Sequence, residues 1–219
     1  MERNRGFKIL SIIALLIGVV GLTLGFAAFT STLTIRSSAE IKPAGNTFNV
    51  DFSSAANEVV ANDITPTKNP ETLEAKDAEI DNTAEPTISN LGATFTAPGQ
   101  SVTYEFYAYN AGEYPAYLNS ITYSNVTDSS SSKVCTPKTG TTVEYVASAC
   151  NDIVVSVQVG TEAAVTGSKS GISNHTLAKN TGELVTVTIT YEKKENQTLA
   201  DGDFTVEFGD ITLDYSSVD

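Results

Sequence analysis

The chain has 219 residues and carries 26 acidic against 13 basic side chains, a formal net charge of −13. Residues 1–29 contain three of the bases and one of the acids, so the remainder carries 10 bases against 25 acids, a net charge of −15. A surface of this sign repels nucleic acid and anionic lipid headgroups, which excludes nucleic acid as a partner. The remaining roughly 190 residues suffice for one substantial domain with a buried core, or for two small ones.

The first 29 residues predict export across the cytoplasmic membrane. Ile9–Phe29 is a run of 21 residues without a charge, and it follows a short basic head that contains Arg3, Arg5 and Lys8. Such a segment is typical of a signal peptide or a membrane anchor. We therefore expect the chain to be extracellular or at the cell surface, in contact with the membrane through this segment before cleavage or without it.

The processing of this segment leaves three alternatives open. Small residues in 25–28 fit a cut by an export peptidase, whereas a run of 21 uncharged residues is long enough to be retained as an anchor. In the third alternative an assembly peptidase cuts after Gly6. This leader resembles that of type IV pilins, which implies a pilin-like subunit assembled through its hydrophobic helix. Ser11 stands where those pilins carry a glutamate.

Residues 30–46 predict an N-terminal strand followed by a linker. Thr30–Ser37 alternates apolar and polar residues directly after the leader. Such a strand can complete the open sheet edge of another copy of the chain, which makes a second copy the expected partner. The alternative is that the strand folds back onto its own domain. The candidate donor strand consists of Thr32, Leu33, Thr34 and Ile35.

Residues 47–219 predict an all-β domain. Apolar residues recur at every second position in several runs rich in Val, Ile, Thr, Tyr and Phe, and turn residues separate these runs. This period is typical of half-buried antiparallel strands in a jelly roll or β-sandwich, here preceded by one N-terminal hydrophobic helix. The alternating runs are residues 47–52, 102–106, 153–159, 184–191, 204–208 and 211–215.

Two segments interrupt the alternation. Residues 54–86 form an acidic insertion, within which Ala55–Asn62 and Glu71–Asp81 are predicted to be either short helices or an acidic loop. Asn125–Gly140 contains four consecutive serines, which indicates an exposed loop leading into the cysteine pair.

The two cysteines, Cys135 and Cys150, predict one disulfide. Outside the cell, thiols separated by fourteen residues are expected to close a local loop, with a stabilisation of about 3 kcal/mol. A metal site would need further ligands, and no histidine lies near the pair in the sequence.

The sequence does not predict an enzyme. Its single histidine, His175, lies in a polar run, where we expect a surface loop residue. The chain has no H-E-x-x-H motif for zinc hydrolysis and no G-x-S-x-G motif to present a nucleophilic serine. No catalytic or cofactor-binding residue is therefore assigned.

Calcium remains an open alternative as the one cofactor. Asp201-Gly202-Asp203, Asp210 near Asp214, and Glu71–Asp81 are rich in carboxylates, which are the ligands that calcium prefers. None of these runs has the spacing of an EF-hand loop, and a hairpin turn accounts for Asp-Gly-Asp equally well.

Tyr107 and Tyr109 form a candidate contact surface. By alternation they lie on the opposite face of their strand from Tyr104, where an exposed ring would contact a sugar or another protein. The alternative is that a second layer covers this face.

Three N-x-[ST] triplets, which bear carbohydrate only in a host that glycosylates such sites, begin at Asn125, Asn174 and Asn196.

One stretch carries a family resemblance. It comprises Ile88-Ser89-Asn90-Leu91, the run Phe95–Phe106 with its central Pro98-Gly99, and Asn110-Ala111-Gly112. The stretch resembles a sequence motif of the TasA/camelysin family of exported bacterial surface proteins. The order of leader, Thr/Ser-rich strand, Gly45–Val50 strand and closing strand pair is similar as well.

The resemblance implies a jelly-roll subunit that polymerises into extracellular fibres of a biofilm matrix, in which an N-terminal strand of one copy completes the sheet of the next. Camelysin is described as a metallopeptidase, an activity for which this chain lacks the histidines. The first hypothesis is therefore a structural fibre subunit. The alternatives are a membrane-anchored monomer that binds glycan or protein, and the pilin-like subunit.

Overall fold

The computed structural model describes residues 30–35 by their backbone, and residues 48–123, 133–209 and 211–217 in full. The predicted N-terminal hydrophobic helix and Asn125 lie outside these residues. The described residues form one α-helix, α1 (Val143–Cys150), and the strands β1 (Thr30–Ile35), β2 (Val50–Ser53), β3 (Thr67–Asn69), β4 (Glu74–Ala75), β5 (Glu79–Asp81), β6 (Thr87–Ser89), β7 (Leu91–Phe95), β8 (Ser101–Asn110), β9 (Ala116–Thr122), β10 (Lys133–Pro137), β11 (Ile153–Val159), β12 (Thr176–Leu177), β13 (Gly182–Tyr191), β14 (Phe204–Phe208) and β15 (Ile211–Ser216).

The strands form antiparallel sheets, which confirms the all-β prediction. One sheet has the order β11-β13-β8-β2, with β3 also paired to β8. Two four-stranded sheets have the orders β1-β15-β9-β12 and β10-β14-β7-β4, and β5 pairs with β6. The consecutive strands β14 and β15 belong one to each of these sheets, where they pair antiparallel with β10 and β9.

The predicted alternation decides which side chains enter the core. In β13, Val185, Val187, Ile189 and Tyr191 are buried while the intervening threonines are half-buried. The facing sheets meet through such residues, and the ring centroids of Phe95 and Tyr191 lie 6.3 Å apart. The result is a sandwich-like arrangement around one apolar cluster.

The two candidate helices within the acidic insertion, residues 55–62 and 71–81, are not helical in the structure. Residues 55–62 form a loop held by Ser53, whose hydroxyl donates to Glu58 O at 2.6 Å and accepts from Val60 N at 3.0 Å. Residues 71–81 contribute a turn and the strands β4 and β5. The prediction of a loop over residues 125–140 is wrong for residues 133–137, because these residues form β10 and pair with β14.

Tyr104 ties the two sides of the sandwich together. Its hydroxyl donates to Gly92 O at 2.7 Å and accepts from Gly92 N at 3.1 Å, and burial raises its pKa to about 12. We expect Tyr104→Phe to lower the free energy of unfolding by about 1–3 kcal/mol, because the buried peptide groups lose their partner. Urea denaturation measures this change. The control is Tyr145→Phe, at a residue that is 44% exposed, for which we expect the free energy of unfolding to change by less than about 0.5 kcal/mol. Equal effects of the two changes would contradict the role of Tyr104.

Candidate assembly interface

The N-terminal strand β1 lies at the edge of its sheet, beside the C-terminal strand β15. The two strands are antiparallel and in register over all six residues of β1, from Thr30 opposite Ser216 to Ile35 opposite Ile211. The other side of β15 is occupied by β9. In this single chain the strand therefore folds back onto its own domain. The candidate donor residues Thr32, Leu33, Thr34 and Ile35 lie opposite Asp214, Leu213, Thr212 and Ile211.

The strand β15 presents alternate residues to the core. Ile211, Leu213 and Tyr215 have no exposed surface. The register with β9 shifts between Asp214 and Tyr215, and burial raises the pKa of the Asp214 carboxyl. The edge that receives β1 is thus anchored by core packing on one face and by backbone pairing to β9.

A chain of polar contacts fastens the end of β15 to the opposite sheet. The Tyr215 hydroxyl donates to Glu183 Oε1 at 2.6 Å, and Glu183 Oε2 lies 2.5 Å from His175 Nε2. His175 Nδ1 lies 3.2 Å from Glu162 Oε1, and Lys169 Nζ donates to Glu162 Oε2 at 2.5 Å. We call these five residues the His175 network.

Local backbone geometry makes room for this network. Gly160 has φ of +52°, and a Cβ there would lie 2.5 Å from Glu183 Oε2 and 3.3 Å from His175 Cε1. A side chain at this position would therefore displace both groups. His175 is also held by its carbonyl, which accepts from Leu118 N of β9 at 3.1 Å.

The electrostatics favour a protonated histidine. Only 7% of the His175 side chain and 12% of that of Glu183 are exposed. The hydrogen bond to Glu183 raises the pKa of His175 more than burial lowers it, and Glu162 acts in the same direction as Glu183. Lys169 and His175 lower the pKa of Glu162, and burial raises that of Tyr215 well above its ordinary value.

The prediction of His175 as a surface residue is wrong. Both ring nitrogens face carboxylates, so the protonated ring links the loop of residues 160–175 to the start of β13. With neither nitrogen directed at a cleft, this geometry suits a structural cross-link. Sequence reasoning missed the network because residues 162, 175 and 183 share no periodic spacing, and the fold alone brings them together.

The two candidate contact tyrosines differ in exposure. Tyr107 is half-buried, opposite Leu184, which is 37% exposed. Tyr109 is only 8% exposed, since the loop of residues 54–60 covers it and its hydroxyl donates to Asn57 O at 3.2 Å. Tyr109 is therefore not available as a contact surface, and Tyr107 alone retains that role as a prediction.

The predicted disulfide between Cys135 and Cys150 is confirmed. It joins β10 to the end of α1, with the two Cα atoms 6.1 Å apart. Next to it, Lys133 is 2% exposed, and its ammonium donates to Cys150 O at 2.9 Å and Ile153 O at 2.7 Å. Burial lowers the pKa of Lys133 to about 8. The disulfide and the neighbouring hydrogen bonds of Lys133 therefore hold α1 against β10.

No family model, curated protein or solved structure matches the chain. Within the described ranges, no three His, Cys, Asp or Glu side chains are grouped so as to hold a metal ion, and no helix is long and apolar enough to span a membrane. Of the calcium candidates, Asp201 Oδ1 accepts a hydrogen bond from Thr142 N at 2.8 Å, and Asp210 lies outside the described residues.

Proposed function

We propose that this chain is an exported structural subunit of an extracellular fibre, assembled when the N-terminal strand of one copy completes the sheet of the next. The observation that carries the proposal is the six-residue ladder between β1 and β15 at a sheet edge. Pairing at an edge uses backbone hydrogen bonds that any copy of the same strand can supply, because they depend little on side chains.

The chain length between the first two strands supports donation. Residues 36–49 separate β1 from β2, and fourteen extended residues span at most about 50 Å. A strand on such a tether reaches the β15 edge of a neighbouring copy. Because the donated strand and the accepting edge are different surfaces, the contact repeats head to tail and forms a filament.

The likeness to the TasA/camelysin family points the same way. That family implies a jelly roll, export and biofilm-matrix fibres, and the sandwich-like sheets with an edge-paired N-terminal strand are compatible with it. We assign the chain no catalytic role and a location outside the cytoplasmic membrane. The apolar residues 9–29 then serve export, as a signal peptide or an anchor.

Cross-linking between two variants tests donation directly. Thr34 lies opposite Thr212 in the register, so we expect co-expressed Thr34→Cys and Thr212→Cys chains to form a reducible dimer of mixed composition. Since each chain carries one new cysteine, the 34–212 link joins two copies. Electrophoresis without reductant, followed by mass spectrometry of the linked peptides, identifies it.

The matched control replaces Thr188, which lies opposite Ser156 and Thr103 and not opposite β1. Thr34→Cys with Thr188→Cys should give no mixed dimer. If the 34–212 link forms only when both cysteines are in one chain, the strand stays with its own domain and donation is excluded.

Deletion of residues 30–37 separates donation from the pilin-like alternative. Donation predicts that the deleted protein remains folded and forms no filaments in electron micrographs. Filaments that persist without the strand would favour assembly through residues 9–29. The mature N-terminus, determined by mass spectrometry of the exported protein, then distinguishes a cut after Gly6 from a cut near Ala28.

A further inference from the structure

A groove of about 820 Å³ crosses the outer face of the sheet β10-β14-β7-β4. Its volume lies in the range of roughly 300–1,000 Å³ that is typical of small-molecule sites. The floor is built by outward-facing residues of adjacent strands, and Glu74 and Lys76 also line the groove. These floor residues are Val134, Thr136, Thr205, Glu207, Thr94 and Gly92.

The groove gathers positive charge on an acidic protein. The described residues contain eight lysines, and three of them, Lys68, Lys76 and Lys138, line it. Glu74 pairs with Lys138 at 2.6 Å, and Glu207 lies 3.7 Å from Lys76 with both side chains well exposed. Among the described residues Lys68 has no ion pair. The groove therefore carries a surplus of one positive charge, while the whole chain carries −13.

The floor offers side-chain hydroxyls and few free backbone groups. Thr205 pairs with Thr94 on one side and Thr136 on the other, so the peptide groups of these strands are used within the sheet. A peptide that joins a sheet is recognised through backbone bonds at an edge, which this face does not provide. A ligand whose polar groups project sideways along its length fits better.

We propose that this groove binds a glycan chain that bears carboxylates. The threonine hydroxyls accept hydrogen bonds from sugar hydroxyls and donate hydrogen bonds to them. The unpaired Lys68 ammonium forms an ion pair with a uronate carboxylate. The surrounding acidic surface repels anionic ligands elsewhere, which confines such a chain to the groove. This site is separate from the β1–β15 interface and holds whether or not the chain polymerises.

Calorimetric titration of the exported protein with oligogalacturonate tests the proposal, with a neutral oligoglucan as the second probe. We expect the acidic probe to bind at least tenfold more tightly than the neutral one, and its affinity to fall as salt is added. Lys68→Ala/Lys76→Ala should weaken binding of the acidic probe at least tenfold. Thr205→Val should weaken both probes.

The control variant Lys179→Ala/Lys193→Ala removes two lysines outside the groove and has the same net charge as the test variant. It should bind the acidic probe as the unmodified protein does. The proposal is overturned by absence of binding to the acidic probe, by equal loss in both double variants, or by equal affinity for the two probes. Thermal melting of each variant verifies that it is folded.

Discussion

Replacing His175 by alanine is expected to lower the free energy of unfolding by about 3 kcal/mol near pH 5.5, because breaking a buried ion pair leaves an uncompensated charge. The carboxylate left behind is that of Glu183, whose side chain is 12% exposed. Among the described residues it then retains the Tyr215 hydroxyl as its one side-chain partner. Urea denaturation of the unmodified protein and of His175→Ala measures the difference.

The pH dependence of this difference identifies its origin. The pKa of His175 is raised in the folded state, so its stabilisation is complete below the ordinary value of 6.5 and is lost as the pH rises through the raised pKa. The pKa of Glu162 is lowered, so its contribution is present above the ordinary value of 4.5 and is lost as the pH falls through the lowered pKa. The difference should be largest between the two ordinary values, 4.5 and 6.5, and smaller at a pH above the raised pKa of His175.

An exposed ion pair provides the control. Lys179 pairs with Glu113, and these side chains are 40% and 63% exposed. Lys179→Ala should cost less than about 1 kcal/mol, because solvent screens the pair. Should His175→Ala cost no more than this control, or should its cost be independent of pH, the network does not stabilise the fold through a protonated histidine.

Removing the disulfide is expected to have the second large effect on the free energy of unfolding. Cys135 and Cys150 are 15 positions apart, and closing a loop of that length stabilises a protein by about 3 kcal/mol through the unfolded state. We expect Cys135→Ala/Cys150→Ala to lose about that amount in guanidinium denaturation. Because the bond joins β10 to α1, we also expect faster amide exchange in α1 than in β13.

Reduction supplies the matched comparison. Treating the unmodified protein with dithiothreitol should lower the midpoint of its guanidinium denaturation to near that of the double alanine variant. The midpoint of the variant itself should not change with dithiothreitol. A loss below about 1 kcal/mol in both cases would show that Lys133 and the core packing hold β10 and α1 without the bond.

The sequence predicted seven of the fifteen strands of the described residues, because the alternation of apolar and polar residues in these seven is a local pattern. In Ile153–Val159 and in Phe204–Phe208, every second residue is apolar and every such residue is buried. The disulfide was predictable for a related reason, since the sequence contains only two cysteines and the predicted export would favour their oxidation. The helix α1 was missed, because eight residues give too short a pattern to stand out between strands.

The sequence by itself determined the all-β class, the alternation that fills the core and the pairing of the cysteines, since each depends on composition or on neighbours along the chain. Only the tertiary structure decided that β1 lies beside β15, that His175 is buried between Glu162 and Glu183, and that three lysines share one groove. These features join residues distant in sequence. Their positions depend on strand order and register, which no local spacing encodes.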